Sequence, residues 1–81
     1  MNLSDLANVS KTIGAKQTAK AVERGTVSIV YLAIDSDERV VSPIDELCQE
    51  HGVMVNREHT MEELGRAAKI KVKAAAVGVL K

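Results

Sequence analysis

The stretch Val27-Ser28-Ile29-Val30-Tyr31-Leu32-Ala33-Ile34 most restricts what this chain can become. It is rich in β-branched residues and almost continuously apolar. A strand with one wet face alternates polar and apolar residues. A run without that alternation predicts a central strand covered on both faces.

The segments around it alternate in type. Leu3, Leu6 and Ala7 share one helical face with Val9 beside them, and Asn2 or Ser4 is placed to cap a short helix over Leu3–Val9. Lys11-Thr12-Ile13-Gly14 reads as a short edge strand. Gly14 to Gly25 reads as a short helix between two glycines, with Ala15, Ala19 and Val22 as its inner face. After the central strand comes a polar loop, Asp35-Ser36-Asp37-Glu38-Arg39, at the carboxyl end where open α/β sheets place their crevice. Ser42 as cap, Pro43 at the first helical position and Asp45 completing a capping box predict a helix start. Ile44, Leu47, Cys48 and His51 continue it to a stop at Gly52. Val53–Asn56 is a short strand. Thr60-Met61-Glu62-Glu63 is a second capping box, opening a helix with Met61, Leu64 and Ala68 inside. Lys69–Lys73 is a loop, and Ala74–Leu80 a last strand whose alanines allow close helix packing. This order predicts an α/β fold: a three-layer α/β/α sandwich with a mixed, largely parallel four-stranded sheet and right-handed crossovers.

The 81 residues suffice for one core, so residues 1–81 are expected to form a single domain. An apolar content of 46% with 27% charged residues is globular rather than disordered. No apolar run approaches the ~20 residues of a membrane span. No secretion signal opens the chain, and the one cysteine, Cys48, has no internal partner; a cytoplasmic location is expected. Net charge is zero, yet the charges are segregated. Residues 11–25 carry Lys11, Lys16, Lys20 and Arg24 against Glu23 alone. Residues 64–81 carry Arg66, Lys69, Lys71, Lys73 and Lys81 with no acid. The acids concentrate between 35 and 63. If the two basic segments share a surface, the protein has a basic face that net charge hides.

Sites for chemistry are scarce. His51, His59 and Cys48 do not fall at zinc spacings, so no metal site is expected. His51 reads as a helix C-terminal residue and Cys48 as a core residue. Asp35, Asp37 and Glu38 read as a solvated turn rather than paired catalytic carboxylates, one of them being placed to orient Lys16 or Lys20. There is no nucleophile elbow, and Gly14 and Gly25 match neither phosphate-binding glycine fingerprint; no catalytic residue, enzymatic activity or cofactor is expected. The single aromatic, Tyr31, lies in the central strand, which excludes the stacking platforms of many RNA-binding modules.

The helix between Gly14 and Gly25 is odd as a purely structural element. Lys16 sits in its first turn, where the macrodipole disfavours a cation. Lys16, Lys20 and Arg24 follow at i, i+4 and i+8, each like-charge pair costing about 0.2–0.5 kcal/mol. Such a helix suits an anionic partner, and RNA is the one expected.

The stretch Gly14-Ala15-Lys16-Gln17-Thr18-Ala19-Lys20-Ala21-Val22-Glu23-Arg24-Gly25 resembles the signature of the kink-turn-binding ribosomal protein family, of L-seven-Ae and L-thirty-e type. The resemblance extends through Ala33-Ile34-Asp35, Leu47 to Val53, Glu63-Leu64-Gly65-Arg66-Ala67 and Val72 to Val77, so it covers nearly the whole chain. It implies the same α/β/α sandwich. It also implies binding to kink-turns, bent helix–bulge–helix RNAs held by tandem sheared G·A pairs, and stabilisation of the bent form. Carried over residue by residue, Gly14 is the family glycine. Lys16 and Gln17 are the polar pair that reads the G·A edges, and Lys20 and Arg24 meet bases and phosphates. Ile70, Lys71 and Val72 form the apolar loop over an extruded base, with Lys73 beside them. Archaeal members carry Asn-Glu where this chain has Lys16-Gln17, whereas Lys-Gln is similar to the small bacterial YbxF-type members. Ala15 replaces a family Thr or Ser, removing a side-chain cap. The implied partner is structured RNA: a kink-turn in ribosomal RNA, a riboswitch or another non-coding RNA, with the ribosome as a further partner and the protein acting as a monomer without membrane contact. The competing reading is a ribosome-associated module docking on ribosomal RNA through its basic face without kink-turn specificity. A small nucleotide-binding domain with its crevice near Asp35 is a weaker third.

Overall fold

The structure, a computed structural model of the chain, describes residues 3–81. A 3-10 helix, Leu3–Ala7, leads into β1 (Lys11–Ile13), α1 (Ala15–Glu23), β2 (Val27–Leu32), α2 (Glu38–His51), β3 (Met54–Asn56), α3 (Met61–Ala67) and β4 (Ala76–Leu80). Of the two caps considered for the first helix, Asn2 lies outside the described residues.

The four strands form one sheet in the order β1-β4-β2-β3. The α/β sandwich and the mixed sheet are as expected. The strand directions correct the expectation of a largely parallel sheet: β2–β3 is parallel, but β4 runs antiparallel to both β1 and β2. The cause lies after α3. This helix has only seven residues, about 10 Å of rise. The chain then doubles back along it, and the Ala74 amide donates to the Met61 carbonyl at 3.1 Å. Helix and return segment cancel, so β4 starts from the sheet end where β3 finished and runs the opposite way.

β2 buries both faces, as its composition requires. Val30 and Leu32 join Val22, Val41, Ile44 and Cys48 beneath α1 and α2. Tyr31 and Ala33 join Leu6, Leu64, Val77 and Val79 beneath the 3-10 helix and α3. A bulge between Val27 and Ile29 shifts the register by one residue, which lets Val27 and Val30 face the same core despite their spacing of three. The strand ends at Leu32, short of the expected Ile34. Ile34 donates its amide to the His59 carbonyl at 2.9 Å, and its side chain is 53% exposed.

α2 also departs from expectation. It does not start at Ser42-Pro43; its cap is Asp37, whose carboxylate accepts from the Arg39 amide at 2.9 Å, and Pro43 lies inside the helix. Proline deprives one backbone carbonyl of its helical donor and crowds the preceding turn. Burial outweighs this, because Val41, Ile44 and Cys48 form one continuous buried stripe across the proline.

The second capping box forms in both directions. Thr60 Oγ1 accepts from the Glu63 amide at 3.1 Å, and Glu63 Oε1 accepts from the Thr60 amide at 2.9 Å. The Thr60 amide holds the Glu63 carboxyl below its ordinary value. Thr60→Ala should cost about 1 kcal/mol in urea unfolding at neutral pH. Glu63→Ala should also destabilise there. Because the folded value is depressed, its deficit should persist above the ordinary carboxyl range and vanish as pH falls through the lowered one. The Cys48 thiol is fully buried, and burial, with a smaller contribution from the Asp45 carboxylate, pushes it up to about 11. It should stay silent to a thiol reagent at pH 8 and react once per chain in denaturant.

Candidate nucleic-acid interface

β1 and β2 are parallel through their shared antiparallel neighbour β4, and β3 is parallel to β2. Each leads into a helix, so α1, α2 and α3 all begin at the same end of the sheet. Two of these starts are capped by side chains. Asp37 caps α2. Thr60 and Glu63 cap α3, and Asp35 Oδ1 accepts from the Met61 amide at 2.8 Å. Asp35, Asp37 and Glu38 are exposed, as expected of a solvated turn, but their partners are the Met61 amide, Arg39 and, at 2.9 Å, Arg57 rather than Lys16 or Lys20.

α1 differs. Its cap position is Gly14, at φ 95° and ψ 157°, with no side-chain hydrogen bond. That positive φ is easy only for glycine. The Gly14 amide donates to the Ala76 carbonyl at 2.9 Å, pinning the helix start to the first residue of β4. The first-turn amides have no side-chain acceptor, and a helix start in that condition, with its partial positive charge, favours an anion.

The buried face of α1 is Thr18, Ala21 and Val22. Ala15 and Ala19, expected at its centre, are half-buried at its margin. Thr18 was not legible as a core residue, because its hydroxyl needs a partner that only the fold provides. Thr12 Oγ1 lies 3.0 Å away and also accepts from the Gly78 amide at 3.2 Å. A Cβ on Gly78 would sit 2.7 Å from Thr12 Oγ1 and 3.3 Å from Thr18 Cγ2, so this glycine lets α1 seat on β4. The opposite face exposes Lys16, Gln17, Lys20, Glu23 and Arg24. The helix closes with Gly25 at φ 72°, its amide donating to Val22 and that of Thr26 to Ala21. Arg24 thus lies about 12 Å along the axis from Lys16, towards the far end of the sheet. Lys81 is at that far end too, its amide donating to the Thr26 carbonyl at 2.9 Å.

Residues 70–73 immediately precede the segment that reaches Ala76, and so lie at the same sheet end as Gly14, Ala15, Lys16 and Gln17. Ile70 is half-buried; Lys71, Val72 and Lys73 are exposed, Val72 at 68%. With Glu62 and Arg66 of α3 they line a groove of about 330 Å³. Exposed Ile34 also belongs to this end, beside Ala33, whose amide donates to the Ala75 carbonyl. Sequence reading missed it by extending the strand through it.

The cations divide into two groups. Arg39, Arg57 and Arg66 each pair with a carboxylate. Among the described residues, no ion pair involves Lys16, Lys20, Arg24, Lys71 or Lys73. His51 is an exposed last residue of α2, while the His59 ring lies 6.2 Å from that of Tyr31. Among the described residues no helix is long and apolar enough to cross a membrane.

Comparison with known proteins agrees with this architecture. The RNA-binding protein TTE2299 of Caldanaerobacter subterraneus subsp. tengcongensis is 48% identical over 65 residues, 80% of this chain and 79% of that protein. The RNA-binding protein YbxF of Geobacillus stearothermophilus is 38% identical over 69 residues, 85% and 84% of the two chains. The structure of the Giardia lamblia 15.5kD RNA binding protein superposes with a TM-score of 0.89 at 26% identity, covering 98% of this chain and 68% of that one. Residues 5–81 match the profile of the ribosomal protein L7Ae/L30e/S12e/Gadd45 family. The chain belongs to this family, and is similar to its bacterial YbxF-type members.

Proposed function

We propose that this protein binds structured RNA without catalysing a reaction, recognises a kink-turn and stabilises its bent form. The observation that carries the reading is the α1 start. Gly14 leaves it without a side-chain cap, Lys16 and Gln17 project from its first turn, and the loop Ile70–Lys73 lies at the same sheet end. The amides and Lys16 suit phosphate oxygens or guanine acceptors, and Gln17 has both a donor and an acceptor for base edges. Lys20 and Arg24 extend the cationic surface along the helix, while Ile70, Lys71 and Val72 offer apolar cover and charge to a nucleotide outside the stack. A partner bound in this way shifts the RNA towards its bent conformer by its differential affinity for it. The relatives that carry RNA binding in their names support the reading.

Gln17 is a weaker acceptor than a carboxylate, and Lys16 adds a cation. Binding should therefore depend more steeply on salt than in Asn-Glu members. The second reading, docking on ribosomal RNA through charge alone, draws on the exposed cations of α1 and predicts indifference to the G·A pairs.

A gel-shift series on a kink-turn duplex separates the two. Gln17→Ala should weaken binding by about 1–3 kcal/mol. Lys20→Ala should weaken it and lower the salt slope by about 1. Lys81→Ala, at the other sheet end, should stay near wild type. Replacing the tandem G·A pairs by Watson–Crick pairs should abolish the preference for the bent RNA; equal affinity for both duplexes would favour the charge-only reading.

A further inference from the structure

Gly65 is buried in the middle of α3, where glycine costs a helix about 1 kcal/mol relative to alanine. Its surroundings supply the reason. A Cβ there would collide with the Val72 carbonyl oxygen and lie 3.3 Å from both Lys73 Cα and the Val72 carbonyl carbon. The backbone of the loop therefore rests directly on the helix at this point. α3 also ends in a glycine-type closure without a glycine. The Lys69 amide donates to the Arg66 carbonyl at 3.1 Å and the Ile70 amide to that of Gly65 at 3.0 Å. Lys69 occupies the position at which glycine is common, at φ 58°, the only non-glycine residue with positive φ among those described. The Ala74 amide then ties the far end of the loop to Met61. Residues 71–73 are thus held between two backbone ties, over a helix surface from which one Cβ is missing.

We propose that Gly65 and Lys69 are positioning residues for RNA recognition, acting through the backbone of loop 70–73 rather than by touching the RNA. The inference rests on the RNA-binding reading of that loop. Gly65 sets the height at which Val72 and Lys73 lie above α3, and the left-handed turn at Lys69 sets the direction in which the loop leaves it. Lys69 acts through φ and not through its charge.

The test uses Gly65→Ala, Lys69→Val and Lys69→Gly in the full chain. The two Lys69 variants lose the same charge but differ in backbone preference: glycine enters the left-handed region freely, and a β-branched residue is an outlier there. Affinity is read by fluorescence anisotropy on a kink-turn duplex and on the same duplex with its G·A pairs replaced. Backbone amide shifts of Val72 and Lys73 are read by NMR in the free proteins. Gly65→Ala and Lys69→Val should each weaken kink-turn binding about tenfold and move those amide shifts, while Lys69→Gly keeps wild-type affinity. The proposal is overturned if the shifts of Val72 and Lys73 stay in place, if they move without loss of affinity, or if Lys69→Gly loses as much as Lys69→Val. Should Gly65→Ala not fold, the exposed Lys69 pair decides alone. A wild-type protein that does not distinguish the two duplexes overturns the kink-turn reading instead, and the free-protein shifts still decide whether α3 sets the path of the loop.

Discussion

The hydrogen bond from the Ala74 amide to the Met61 carbonyl marks the constraint on which the architecture depends. It folds the chain back along α3 and reverses its direction. β4 can then enter between β1 and β2 as their antiparallel neighbour. Without that reversal the last strand would begin at the opposite end of the sheet. Gly14 would lose the Ala76 carbonyl that pins the α1 start, and the loop 70–73 would be remote from that start.

The same end of the sheet collects three helix starts, and their different chemistry follows from local residues. Asp37 holds the start of α2; Thr60, Glu63 and Asp35 hold that of α3. Gly14 leaves α1 with open amides. Among the acids between residues 35 and 63, Asp35, Asp37 and Glu63 serve in caps, and Asp37, Glu38, Asp45 and Glu62 pair with Arg39, Arg57 and Arg66. A zero net charge therefore coexists with a cationic helix, because most acids lie between residues 35 and 63, several of them held by neighbouring groups, and the lysines of α1 enter no ion pair among the described residues. Electrostatic attraction for a polyanion depends on that local distribution rather than on the sum.

Glycine does separate jobs at five places here. Gly14 supplies a backbone angle, and Gly25 with Gly52 supplies left-handed helix closures. Gly65 and Gly78 supply missing volume: one beneath the loop and one beneath Thr18. Only the first kind has a recognisable local pattern, a glycine flanking a periodic segment. The second is defined by what the tertiary fold brings within reach of an absent Cβ, and the hydroxyl pair of Thr12 and Thr18 depends on the same approach.

Much of the fold was legible from residue order alone. The unbroken apolar run of β2 demanded cover on both faces, and Thr60-x-x-Glu63 specified a helix start through contacts three residues apart. The glycines around α1 and the lysines along it marked the candidate interface for the same reason: periodicity and capping are short-range physics. Strand direction was not legible, because it depends on whether a return loop cancels the rise of its helix. α2 starts after Asp37 rather than at Ser42-Pro43, because burial of Val41 outweighs a local proline signal. Caps, periods and charge spacing act over a few residues and can be read along the chain. The antiparallel place of β4, the seat of the loop on Gly65 and the meeting of that loop with the α1 start arise between segments distant in sequence, and only packing decides them.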